Sequence, residues 1–309
     1  MIRRDAREPF LVPGLISTSV TAMFGQPKCG KSALVVNLAV AAVQGKPFLG
    51  VPFSREVDRV IILTTDADGL GEYADRLHDA GAGDVGDRLT VWQLPTLTAE
   101  YIDAAATYWD LRPGAADLVV LDHVTALEAD GNAAAEVARF TAALERFRGD
   151  APLVMVGHAS TSSVQGSSRR KLLGSTAWTV RIRWQVEVSR RAGGEVRLSC
   201  SGNSSKPTKF VLATGDHVTD FSVVSTTTGD EIEQAAVEKR RERDLETVQR
   251  VEDWARFVEQ EAAGLTKVQQ AEKLHERWPE VSVASFGRVL RPSGKIALTL
   301  ARRREVEAA

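Results

Sequence analysis

Through the first two-thirds of the chain, short runs of Val, Ile and Leu alternate with longer stretches in which apolar residues recur at helical spacing. The runs predict strands over 20–24, 60–63, 89–94, 117–121 and 153–156, and the intervals predict helices, for example over 99–109 and 133–147. Nearly continuous apolar strands separated by helices imply an α/β fold built on a parallel sheet covered on both faces. After residue 176 the rhythm changes. "AWTVRIRWQVEVS", "EVRLSCS", "KFVLAT" and "HVTDFSVVS" read as adjacent strands joined by tight turns at Gly193-Gly194 and Thr214-Gly215-Asp216, an antiparallel extension of that sheet.

A polar break, "TTTGD" at 226–230, closes this region, so the main domain is placed at 1–228. Residues 229–263 read as a charged helical linker, with Leu245, Val248, Val251, Ala255 and Val258 on one stripe and Gly264 at its end. Its charges, such as "EKRRERDLE", read as a solvated face. Residues 264–309 are expected to form a small winged-helix-like domain. Thr266 and Gln269 make a capping box, with Leu265, Val268, Ala271, Leu274 and Trp278 on the buried stripe. Ser282 caps a second helix with Val283, Phe286, Val289 and Leu290 inward, and "KIALTL" alternates like a short wing strand.

Composition changes little in this picture. Of 309 residues, 43% are hydrophobic and 26% charged, ordinary for a globular protein, and the length favours a main domain plus an appendage. No apolar run is both long and unbroken enough to cross a membrane, and "MIRRDAREPF" lacks the apolar core of a secretion signal. Two cysteines, Cys29 and Cys200, make no disulfide framework, and a reducing cytoplasm is the expected compartment. A net charge of −2 means that any nucleic-acid contact must be a local patch. Residues 281–304 supply one: Arg288, Arg291, Lys295, Arg302, Arg303 and Arg304, with no acidic residue among them. DNA binding by this domain is expected, through Arg288, Arg291 and Lys295, with protein docking as the alternative.

The chemistry sits at "GQPKCGKS", residues 25–32, between a strand and an apolar helix. This is the complete phosphate-loop pattern in the context it requires. Gly25, Gln26, Pro27, Lys28, Cys29, Gly30, Lys31, Ser32 and Ala33 are therefore expected to hold a nucleoside triphosphate, ATP, by backbone N–H groups at a helix N-terminus. Lys31 would reach the β- and γ-phosphates, and Ser32 would put its hydroxyl on Mg²⁺. Cys29 reads either as a thiol activated by the helix terminus or as a small loop filler.

Asp122, at the end of "DLVVLDH", fits the carboxylate that orients Mg²⁺ through water. The next residue is His123 rather than Glu, so the water-activating base must come from elsewhere. Asp66 at the end of "VIILTTDAD" is the candidate and Asp68 its substitute; each also reads as a turn-initiating Asp. His158 ends "LVMVGH", where it would lie near the γ-phosphate or serve as a structural hydrogen-bonding group. In "STSSVQGSSRRKLLGST", Arg169, Arg170 and Lys171 form either a basic DNA-contacting loop or a solvated surface. On "VRIRWQVEV", alternation sets Val180, Ile182, Trp184 and Val186 on one face and Arg181, Arg183 and Gln185 on the other.

The order of these motifs resembles the RecA-type hexameric ATPases related to the RepA replicative helicases of plasmids. The resemblance covers roughly residues 10–215 and rests on "VPGLISTSVTAMFGQPKCGKS", "VIILTTDAD", "RLHDAGA", "VVLDHVT", "VMVGHAS" and "LLGSTAWTVRIRW". It implies a RecA-like core in which Lys31, Ser32 and Asp122 hold nucleotide and Mg²⁺. It places Asp66 where the family carries a catalytic glutamate, His158 on the sensor histidine, and Arg183 on the arginine finger that reaches a neighbouring subunit. Two positions depart from the pattern: Asp66 is one methylene shorter than Glu, and "CSGNSSK" offers only Lys206 where basic residues are common. The implied protein is an ATP-driven DNA motor, a homo-oligomer and by resemblance a hexamer. A non-motor RecA-like ATPase and a nucleotide-switched DNA-binding regulator are the alternatives.

Overall fold

The computed structural model describes residues 8–83, 85–94, 96, 98–108, 115–124, 133–159 and 182–307. They divide into two compact units, 1–232 and 233–309.

The first unit opens with a hairpin, β1 (Phe10–Val12) and β2 (Ile16–Ser17). There follow β3 (Val20–Gly25), α1 (Lys31–Val43), β4 (Val60–Thr64), α2 (Gly69–Asp79), β5 (Leu89–Gln93) and α3 (Ala99–Tyr108). Next come β6 (Leu118–Asp122), α4 (Ala133–Arg148), β7 (Leu153–His158), β8 (Trp184–Arg190), β9 (Val196–Gly202), β10 (Thr208–Thr214) and β11 (Phe221–Thr227). Among the described residues nine strands form one sheet in the order β11-β10-β9-β8-β3-β7-β6-β4-β5. From β8 to β5 neighbours are parallel; β8–β9, β9–β10 and β10–β11 are antiparallel. The α/β architecture with an antiparallel extension is as expected, except that β8 pairs parallel with β3 before the direction reverses.

Burial follows from this pairing. β3, β4 and β6 are buried at every position, because helices cover both faces of the parallel part. Alternation divides their side chains between two cores. Met23, Val60, Ile62, Leu118, Val120, Val154 and Val156 pack with α1 and Tyr73 of α2. Ala22, Phe24, Ile61, Leu63, Val119, Leu121 and Met155 pack with Ile102 of α3 and Phe140 and Leu144 of α4. β8 and β9 alternate buried with more exposed positions, as one-faced antiparallel strands do.

The second unit is helical: α5 (Gly229–Glu261), within which the division falls, then α6 (Lys267–Arg277), α7 (Val283–Val289) and α8 (Lys295–Glu307). The capping box of Thr266 and Gln269 and the Ser282 cap form as the sequence implies. Three expectations need correction. The "KIALTL" segment is the start of α8, not a wing strand, so the small domain has no β-wing among the described residues. The segment 229–263 is not merely a linker: Val251, Trp254, Ala255 and Val258 form one core with Ala271, Leu274, Phe286, Leu290 and Ile296. Finally, Leu245, Val248 and Val268 are exposed at 62%, 60% and 66%, so the apolar stripes run past the buried surface. Arg303 joins α8 to α5 through ion pairs with Glu252 and Glu259. No helix among the described residues is long and apolar enough to cross a membrane.

Candidate nucleotide site

Register brings the site together. Gly25 of β3 lies opposite His158 of β7, Asp122 of β6 opposite Val156 of β7, and Thr64 of β4 opposite Asp122. Period-two alternation puts Gly25, His158, Asp122 and Thr64 on the sheet face that α1 and α2 cover, at the C-terminal ends of four adjacent parallel strands. This is the position at which open α/β sheets bind ligands. The strand bearing Asp122 is separated from β3 by β7.

The loop geometry suits an anion. Gly25 packs so closely that a Cβ would collide with the Val188 carbonyl oxygen and sit 2.7 Å from the Cys29 sulfur. Gly30, the residue before α1, has φ 104°, a conformation that glycine adopts without penalty. α1 has neither a side-chain cap nor an acidic residue in its first turn. The N–H groups of Lys31, Ser32 and Ala33 therefore have no partner within the helix. By contrast, α6 and α7 are capped by Thr266 and Ser282 hydroxyls.

Lys31 is buried and its Nζ donates to the carbonyl oxygens of Gly25 (3.2 Å) and Gln26 (3.0 Å). Its charge is thus held over the loop by weak acceptors that a phosphate would replace. Burial pushes the Cys29 thiol above its ordinary range, outweighing the lowering effect of Lys31. The burial of Cys29 fits the loop-filler reading rather than the activated thiol.

Asp122 is 3% exposed, and its Oδ2 accepts a 2.6 Å hydrogen bond from the Tyr73 hydroxyl. Oδ1 and the Ser32 hydroxyl have no partner among the described residues. Those two groups fit a Mg²⁺ that takes its other ligands from phosphates and water. No cluster of three or more His, Cys, Asp or Glu among the described residues is placed to hold a metal without them.

Asp66 is half exposed and its Oδ1 lies 3.6 Å from His123 Nε2. The other ring nitrogen of His123 is 3.2 Å from the Thr65 hydroxyl. The His123 and His158 rings meet edge to face at 5.0 Å. Asp68, the alternative to Asp66, is instead the residue preceding α2, whose carbonyl accepts from the Glu72 N–H. Burial, then the Lys31 charge, pushes His158 below its ordinary value. Its Nδ1 is buried without a hydrogen-bond partner among the described residues.

The remaining expected residues lie apart from this row. The exposed Arg183 precedes β8, at the opposite end of the sheet: its N–H donates to the carbonyl of Val20, the first residue of β3. Arg169, Arg170 and Lys171 lie outside the described residues. In the second unit Arg288 lies in the last turn of α7 and donates to the Ser285 hydroxyl at 3.0 Å, Arg291 lies just after α7, and Lys295 starts α8.

Sequence reasoning missed Tyr73, Thr65 and Phe221. A tyrosine on the buried face of a largely polar helix needs a polar partner, which is a usable signal for Tyr73. Nothing in the sequence marks Phe221, which approaches within 3.8 Å of the position that a Cβ on Gly30 would occupy.

Fold and loop together define a P-loop ATPase domain built on a mainly parallel sheet. The chain matches the model of the family described as "AAA domain" over residues 3–163, just over half of its 309 residues, and belongs to that family. Among solved structures it is similar to one described as an "ATPase Domain", at 12% identity and TM-score 0.49, over 72% of this chain and 94% of that one. It is similar also to the structure of the RadB recombinase, at 12% identity and TM-score 0.47, over 68% of this chain and 93% of that one. A comparison with curated proteins finds no match.

Proposed function

We propose that this ATPase is a Mg²⁺-dependent, ring-forming DNA motor, a hexameric replicative helicase of a plasmid, phage or integrated element. The observation that carries the ATPase chemistry is the row of Gly25, His158, Asp122 and Thr64 beside an uncapped helix start and a buried lysine. In this reading the loop N–H groups and Lys31 bind the phosphates and stabilise charge on the transferring γ-phosphoryl group. Mg²⁺, when bound, neutralises charge on the β- and γ-phosphate oxygens. Ser32 and Asp122 are its candidate protein groups. Asp66, 3.6 Å from His123 Nε2, orients the attacking water. His158, at the end of β7 opposite Gly25, is the candidate sensor of the γ-phosphate.

The ring is inferred from Arg183. The β3 strand spans six residues, so Arg183 stands roughly 16 Å of strand away from its own phosphate loop. In this reading Arg183 serves a neighbouring subunit's site rather than its own, as a finger worth on the order of 10³–10⁵ in rate. Arg169, Arg170 and Lys171 would contact single-stranded DNA, and Arg288, Arg291 and Lys295 the duplex. The replicative role rests on the resemblance of motif order.

The test is ATP turnover with and without single-stranded DNA, run beside a mass measurement. A motor shows DNA-stimulated turnover and a ring mass. A monomer whose turnover ignores DNA would leave only the ATPase.

A further inference from the structure

We propose that Tyr73 is the positioning residue of the Asp122 carboxylate, fixing its orientation so that one oxygen remains directed to the metal–nucleotide complex. The inference rests on the reading of Asp122 as the Mg²⁺-orienting group and adds a residue that the phosphate-loop pattern does not contain.

An aspartate at the end of a strand has no intrinsic reason to hold one orientation, because its terminal torsion is broad and two-fold. Here the choice is made from outside the strand. Tyr73 projects from α2 and is 2% exposed, while Asp122 is 3% exposed, so neither group has water to stand in for a missing partner. The 2.6 Å O–H···O hydrogen bond is of charge-assisted length. It occupies Oδ2 and leaves Oδ1 free among the described residues. Toward a carboxylate, which can only accept, the phenol hydroxyl serves as the donor.

Chain connectivity gives the hydrogen bond a second consequence. Asp66 and Tyr73 are seven residues apart on one segment, the turn after β4 and the first turns of α2. The hydrogen bond to Asp122 therefore anchors the same segment that presents Asp66 beside His123. One hydroxyl aligns the metal-orienting carboxylate and fixes the element carrying the water-orienting one. Outer partners of metal-binding groups commonly matter by 10–100-fold in affinity, in order of magnitude.

The test is the full chain carrying Tyr73→Phe, which keeps the ring in the core and removes only the donor. Binding of a fluorescent ATP analogue is titrated in EDTA and again over a series of free Mg²⁺ concentrations, with Asp122→Asn in parallel. The proposal expects affinity in EDTA within two-fold of the parent and a Mg²⁺ requirement raised by roughly ten-fold. An unchanged Mg²⁺ requirement in Tyr73→Phe, beside a raised one in Asp122→Asn, overturns the role of Tyr73 alone. An unchanged requirement in both variants overturns the assignment of Asp122 as well. Loss of binding in EDTA and Mg²⁺ alike would make Tyr73 a residue of the fold rather than of the metal site, and would also overturn the proposal.

Discussion

The Arg183 backbone N–H donates to the Val20 carbonyl at 3.0 Å, which sets Arg183 at the start of β3 while the phosphate loop leaves its end. The two lie at opposite ends of β3. Arg183→Ala protein is therefore expected to bind ATP and hydrolyse it poorly. Lys31→Ala protein keeps its own Arg183 but cannot hydrolyse. Mixing the two, once subunit exchange is shown, should restore part of the ATPase rate at boundaries that pair an intact loop with an intact finger. A flat response in proven mixed assemblies would remove the finger and the argument for a ring.

Asp66→Asn should lower turnover by roughly 10²-fold or more while leaving nucleotide affinity near that of the parent, since the function removed is proton acceptance in the transition state. Asp68→Asn, at the residue before α2, should keep most of its turnover. Steady-state rates of the two variants decide between the carboxylates; the reverse ranking would move the base to Asp68.

His158 makes stability depend on pH in a direction that can be worked out. Its folded value is depressed below 6.5, by burial and then by Lys31. As pH falls through 6.5 toward the folded value, the unfolded chain binds the proton first, so stability is lost over that window and recovered above it. The fall in Tm from pH 7.5 to 5.5 should be smaller in His158→Asn than in the parent. Equal falls would mean that His158 is not held neutral by the fold.

Strands 20–25, 60–64, 118–122 and 153–158 were legible because burial on both faces demands unbroken apolar runs, and the phosphate loop because its spacing is imposed by phosphate geometry. The α8 segment was misread for a definite reason. Ile296 and Leu300 are two of its inward residues, and a spacing of four satisfies both a strand period of two and a helical turn. Leu298, between them, is 57% exposed, which only the helix explains. The hairpin of residues 10–17 was too short for any period to register. Tyr73 escaped because its partner lies 49 residues away, and such a pairing is created by topology rather than by local pattern.

Replacing Arg288, Arg291 and Lys295 together by Ala should weaken binding to duplex DNA. It should also flatten the dependence of log affinity on log salt concentration by about two to three, near 0.9 for each phosphate that is no longer neutralised. Arg303→Ala is the control, because that side chain is already paired with Glu252 and Glu259. An unaltered salt slope in the triple variant would favour protein docking by the second unit.

In the proposed function the loop from Gly25 to Ser32 binds and hydrolyses ATP. The most direct measurement of this is the ATPase rate of purified Lys31→Ala protein against the parent, with thermal melting of each to show that the fold is retained. Lys31 is the cation held over the loop by Gly25 and Gln26, so its removal should reduce turnover to background with the melting profile preserved. Turnover equal to the parent's in a folded Lys31→Ala protein would contradict the assignment of the site.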